Sequence, residues 1–241
     1  MKVSYFKTIT NPDDIANPAI VELEDICKAI KNGKWKEQIA AIRMCASKKE
    51  ADPLKKRLPA VLFAGEFSAR SIMGFKESSN LVCIDFDNIP QSEFESFRDK
   101  LQSSPYVFKC FIGPRGNGFK AILRANFDSY EAYKRVFCAI DDHLGQSEYF
   151  DVGCSDISRA CFVSYDPQMY SNDDAEIFTD EIQDWEGYLK RRRLMAPDET
   201  MKYLIKWMDN SSFKYVDGNK NNYVYRLASA MCRYGVLENT T

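Results

Sequence analysis

Residues 81–89 read LVCIDFDNI. The apolar, β-branched run ends in Asp85, passes one large apolar residue and reaches Asp87, which predicts a buried strand carrying two carboxylates at its end. Alternate side chains of a strand share a face, so Asp85 and Asp87 point the same way and Phe86 enters the opposite layer. Two carboxylates held side by side repel, and a proton or a cation must relieve them. A hard divalent ion with oxygen ligands, Mg2+ or Mn2+, suits such a pair. The plainer reading is a strand that ends where polar residues begin. That accounts for most D-x-D spacings, so the pair needs support from elsewhere in the chain.

Working outward, residues 91–103 (QSEFESFRDKLQS) place Phe94, Phe97 and Leu101 at helical spacing. YVFKCFI reads as a strand, GPRGNG as a turn and FKAILRA as the returning strand of a hairpin. Residues 129–145 begin with a serine cap, continue as an amphipathic helix and stop at Gly145, and RACFVSYDP reads as a last strand. The order β-α-β-β-α-β is that of a ferredoxin-like or RNA-recognition-motif core, an α+β fold.

On the N-terminal side, residues 19–32 predict a helix ending at Gly33, residues 34–47 a second helix, residues 51–58 a polar break, and PAVLFAGEF a strand. After Asn172 the chain turns polar and acidic. A helix over 180–193 ends in LKRRR, and Pro197 opens a new helical segment. The expected organisation is an N-terminal helical segment over 1–50, a catalytic core over 51–195, and a small α-helical C-terminal appendage over 196–241, its last helix closed by Gly235. That appendage is too short for a robust core of its own, and the chain is expected to be part of a larger protein.

With 241 residues and 45% hydrophobic content, the chain can bury a real core. Its net charge of −2 excludes a polybasic protein, so any site for an anionic partner must be local. No stretch has the length of a membrane span, and the N-terminus has no sustained apolar region of the signal-peptide kind. Eight dispersed cysteines without a C-x-x-C pair predict a reduced, cytoplasmic protein without a cysteine-type zinc site.

Two further stretches support the acidic pair. GPRGNGFKAIL (113–123) offers three glycines, whose backbone N–H groups can approach an anion, with Arg115 and Lys120 adding charge. It lacks the G-K-[ST] ending of a P-loop. FDVGCSDISRACFVSYDP (150–167) adds Asp151, Asp156, Asp166 and Arg159. Acids to hold ions and cations to hold a triphosphate are the minimum equipment for two-metal nucleotidyl transfer.

On these motifs the chain resembles the archaeo-eukaryotic primase superfamily of primases and primase-polymerases, whose core is a modified RNA-recognition-motif fold. CIDFDNI resembles the first motif of that superfamily, GPRGNGFKAIL the second and FDVGCSDISR the third. The nearest branch is the primase-like N-terminal domain of virulence-associated E proteins from mobile elements and phages, where lysine replaces the usual histidine of the second motif. Here that residue is Lys120, and the lone histidine, His143, falls in the following helix. The resemblance covers roughly residues 50–240. It implies that Asp85, Asp87 and Asp151 hold one or two Mg2+ or Mn2+ ions. By the same resemblance Lys120, Arg159 and Ser158 hold the incoming triphosphate, while Arg115 and Asn117 touch phosphate or template. The implied partners are a single-stranded DNA template, (d)NTPs and a helicase in the same or a neighbouring chain, with no membrane.

Two rival readings differ in class. A rolling-circle initiator needs paired histidines, which one histidine excludes. A single-strand binding module, or a catalytically weak primase-like domain that recruits a helicase, would present aromatics on its sheet, with Phe108, Phe111 and Phe162 as candidates. Lysine binds phosphate as a point charge but cannot shuttle a proton as imidazole does, so Lys120 is where these readings part. LKRRR offers charge along a DNA backbone or a plain solvated helix end, and Trp185 and Trp207 read as packing residues.

Overall fold

Strands β1 (Lys2–Phe6), β2 (Ala19–Glu22) and β3 (Ala60–Leu62) build the first sheet, with β1 antiparallel to both neighbours. Between them lie helices α1 (Pro12–Ala16), α2 (Leu23–Lys31), α3 (Lys36–Arg43) and α4 (Lys48–Lys55). The structure is a computed structural model and describes residues 1–145, 147–194, 197–209, 215–216 and 218–233. Two N-terminal expectations are corrected. Ala19–Glu22 is not helical, because Ile20 and Val21 extend along β1, and the helical face of Leu23, Ile26, Cys27 and Ile30 starts only afterwards. Residues 51–58 are not simply a polar break. Ser47 caps α4 by accepting from the Glu50 N–H at 3.3 Å, and the helix runs through Pro53 to Lys55.

Strands β4 (Gly65–Phe67) and β5 (Phe75–Ser78) form a small antiparallel pair, leading into β6 (Leu81–Phe86). Helix α5 (Phe94–Gln102), strands β7 (Val107–Ile112) and β8 (Phe119–Ala125) and helix α6 (Tyr130–His143) follow in the expected order. β8 lies between β6 and β7, antiparallel to both. Val82, Ile84 and Phe86 face one layer, where Phe86 meets Phe97 and Phe150 edge-on and Phe94 stacks on Phe119. The other face of this sheet joins the core of the first sheet through Leu81, Phe108, Phe111 and Ile122, packed with Val61, Phe63 and Val163.

The last expected strand differs. Of residues 159–167 only β9 (Cys161–Phe162) is extended, and it pairs with β3 of the first sheet. The edge of β6 that it would have joined is occupied by the loop after α6. There Asp87 N donates to Tyr149 O and Asp151 N to Asp85 O, both at 2.8 Å. Short strands β10 (Tyr170–Ser171) and β11 (Ile177–Phe178) instead border β7 and β8. The architecture is therefore mixed α+β, with helices against sheets that are antiparallel apart from the parallel β11–β8 pair.

Contacts divide the chain into two compact units, Met1–Trp185 and Glu186–Thr241, whereas the sequence suggested a boundary near residue 195, which is outside the described residues. Helices α7 (Trp185–Leu194), α8 (Pro197–Asp209) and α9 (Lys220–Arg233) follow, and Tyr223 approaches Asp209 at 3.4 Å between the last two. The expected stop at Gly235 also lies outside the described residues. No described helix is long and apolar enough to cross a membrane.

Candidate active site

Alternation along β6 puts Cys83, Asp85 and, just past the strand, Asp87 on the half-buried side, while Ile84 and Phe86 are buried behind them. The β6–β8 register sets Lys120 directly across from Asp85. The ammonium donates to Asp85 Oδ2, forming an ion pair with Lys120 only 4% exposed. Burial opposes the charge on Lys120, but the facing carboxylate outweighs it and holds the pKa well above the ordinary lysine value.

The loop after α6 delivers the third acid. Its backbone bond to Asp85 O fixes Asp151 beside the strand, and Asp151 Oδ1 accepts from Gly153 N at 2.8 Å. Arg159 donates to Asp151 Oδ2 at 2.9 Å. Partial burial works against the guanidinium's charge, but Asp151 more than compensates, so its pKa is raised. Arg115 reaches Asp87 Oδ1 at 3.6 Å. Each of the three acids thus faces a cation of its own.

Two expected site residues are turned elsewhere. Ser158 is buried and donates its hydroxyl to Asp156 Oδ1 at 2.8 Å, so it supports the loop rather than lining the cleft. Asn117 donates to Asn88 Oδ1 at 3.3 Å, while its carbonyl accepts from Ile89 N at 3.0 Å, which ties the hairpin turn to the end of β6. Asp166 is also structural, accepting from Ile112 N and Gln168 N at 2.9 Å. His143 packs edge-on against Tyr106 and Phe178. Phe108 and Phe111 are core residues, whereas Phe162 lines the cleft.

The cleft measures about 280 Å³ and gathers Asp85, Asp87, Asp151, Lys120 and Arg159. A smaller chamber of about 30 Å³ that shares Asp85 and Lys120 with it is also lined by Cys83, Cys154, Cys161 and Tyr133. Sequence reasoning missed Asp52, Lys55, Lys56 and Arg70, which also line the cleft. They come from α4 and from the β4–β5 loop, far from the acidic motifs in sequence, and carry no motif of their own. Arg43 was missed as well. It donates to Tyr165 O at 2.9 Å and Gly113 O at 3.3 Å, bracing the hairpin turn from α3.

Residues 53–170 match the family described as BT4734-like, N-terminal domain. That span contains every acid and cation of the site except Arg43 and Asp52. No curated protein and no solved structure matches the chain.

As a cation site, the arrangement is uneven. Asp85, Asp151 and Cys154 bring ligand atoms within 4.8 Å of one another, and Asp87 is not in this group. Burial and the two carboxylates raise the Cys154 thiol well above its ordinary pKa, and a hard ion prefers oxygen to sulfur. The oxygens of Asp85 and Asp151 suit a hard ion, and Asp87 lies outside this group.

Proposed function

We propose that this chain is a primase-polymerase-like nucleotidyltransferase of the archaeo-eukaryotic primase superfamily, with a modified RNA-recognition-motif core and a single-stranded DNA template. The observation that carries the reading is the convergence of Asp85 from β6, Asp87 just past it, Asp151 from the loop after α6, Lys120 from β8 and Arg159 into one open cleft. These residues are distant in sequence, and no packing requirement calls for three acids together.

In this reading Asp85 and Asp151 hold Mg2+ or Mn2+, which when bound lowers the pKa of a primer 3′-hydroxyl and offsets phosphate charge. The chain's own residues position the reactants. Lys120 holds the Asp85 carboxylate in place by their ion pair, and Arg159, half exposed, can turn from Asp151 toward an incoming phosphate. Phosphoryl chemistry depends on positioning and charge stabilisation, so no histidine base is needed.

The test is incorporation of labelled nucleotides on single-stranded DNA with Mg2+ or Mn2+, with and without primer. Product from the wild-type chain and a loss of at least about 100-fold in the Asp85→Asn, Asp151→Asn double variant are expected. One observation favours a second reading, a catalytically weak module that binds single-stranded nucleic acid and recruits a helicase. The carboxylates already have cationic partners in Lys120, Arg115 and Arg159. No product from either protein, with single-stranded DNA still bound, selects that reading.

A further inference from the structure

The cleft is lined by five cations, Lys55, Lys56, Arg70, Lys120 and Arg159, and four carboxylates. Lys120 and Arg159 are engaged by Asp85 and Asp151, and Arg115 takes Asp87. This leaves Lys55, Lys56 and Arg70 without an ion pair among the described residues, against Asp52 as the one remaining acid. Arg70 is anchored, since its backbone N–H donates to Ile15 O at 3.0 Å. Its guanidinium Nε is buried and has no hydrogen-bond partner. An unsatisfied buried donor on a cation costs stability unless an acceptor arrives.

Lysines in the last turn of α4 complement the helix dipole, which accounts for Lys55 on its own. It does not account for Arg70, which comes from the β4–β5 loop into the same cleft. Lys55 also lies 5.3 Å over the Phe162 ring. Burial, then repulsion from Lys120, lowers its pKa despite the opposing pull of Asp85 and Asp87.

We infer that Lys55, Lys56 and Arg70 form a subsite for a condensed phosphate chain, free or carried by a nucleoside. This rests on the nucleotidyl-transfer reading only for its purpose, and it moves the main phosphate contacts away from Lys120, whose ammonium is committed to Asp85. Three cations lining one cleft match the several charged oxygens of a polyphosphate better than a single orthophosphate.

The test is calorimetric titration of the full chain with inorganic tripolyphosphate, and separately with a nucleoside triphosphate, without added metal. The wild type is compared with Arg70→Ala, with Lys55→Ala plus Lys56→Ala, and with the exposed control Lys76→Ala; circular dichroism verifies folding. Tripolyphosphate should bind the wild type and weaken about tenfold or more in both cleft variants, with Lys76→Ala unchanged. Equal affinity for tripolyphosphate and the triphosphate identifies the phosphate chain as the ligand, whereas tighter triphosphate binding adds a nucleoside contact to the same subsite. The inference is overturned if tripolyphosphate does not bind or if the cleft variants bind as the wild type does. Absence of nucleotide incorporation, with this binding pattern intact, removes the polymerase reading and leaves the subsite standing. Incorporation with unaltered binding in the cleft variants does the reverse.

Discussion

Lys120 and Asp85 face each other across two antiparallel strands, and each is partly withdrawn from water by the other's presence. Lys120→Met would leave a half-buried carboxylate with no partner, and removing one member of such a pair costs about 3–5 kcal/mol. Urea unfolding at neutral pH should show that loss as a lower midpoint. Because the folded pKa of Lys120 lies above its unfolded value of about 10.4, the pair's contribution is complete below that pH. It disappears as pH rises through the higher folded value, so wild type and Lys120→Met should converge in stability under strongly alkaline conditions. A gap that persists there would refute the assignment. The acids themselves were legible in the sequence, because period-two alternation suffices to put Asp85 and Asp87 on one face. The direct pairing of Lys120 with Asp85 was not, since it depends on hairpin register. Lys55, Lys56 and Arg70 left no local sign, because they meet the acids only through tertiary packing.

Among the elements, the 113–118 turn is tightly constrained. A Cβ on Gly118 would stand 2.0 Å from Phe86 O, so the start of β8 can cross β6 this closely only with glycine. Gly118→Ala should therefore destabilise the chain by about 2 kcal/mol or more, read as a fall in melting temperature. Arg43, its guanidinium pKa lowered chiefly by burial, clamps the same turn from α3. Arg43→Ala should speed amide hydrogen exchange across 113–118 and leave α6 unaffected; unchanged exchange in the turn would show the brace to be idle. Helix α6 was readable because Ser129 caps it, accepting from Ala132 N at 3.2 Å, and its apolar period is clear. The fate of β9 was not. Its residues look like a strand, but which sheet they join is decided by the loop that already occupies the edge of β6, a contact between segments no local pattern connects.

At the scale of the whole molecule, every described residue lining the cleft belongs to the Met1–Trp185 unit. A chain ending at Trp185 should unfold cooperatively and keep tripolyphosphate binding within about twofold of the full chain, since the contacts argued for lie within it. Mixed α+β architecture was legible from the alternation of strand and helix signals, but the division of the strands between separate sheets was not, as it rests on long-range pairing. The short path from Arg159 to β9 has a mechanical consequence. Arg159 grips Asp151 beside one sheet, and a few residues later Val163 N donates to Pro59 O at 3.0 Å beside the other. Between them the Arg159 backbone N–H donates to Asp156 O at 2.8 Å and Cys161 and Phe162 pair with β3, so the segment is tied along its length. The loop that carries Asp151 is thereby moored to the first sheet, and exchange of the Val163 amide reports whether that mooring holds.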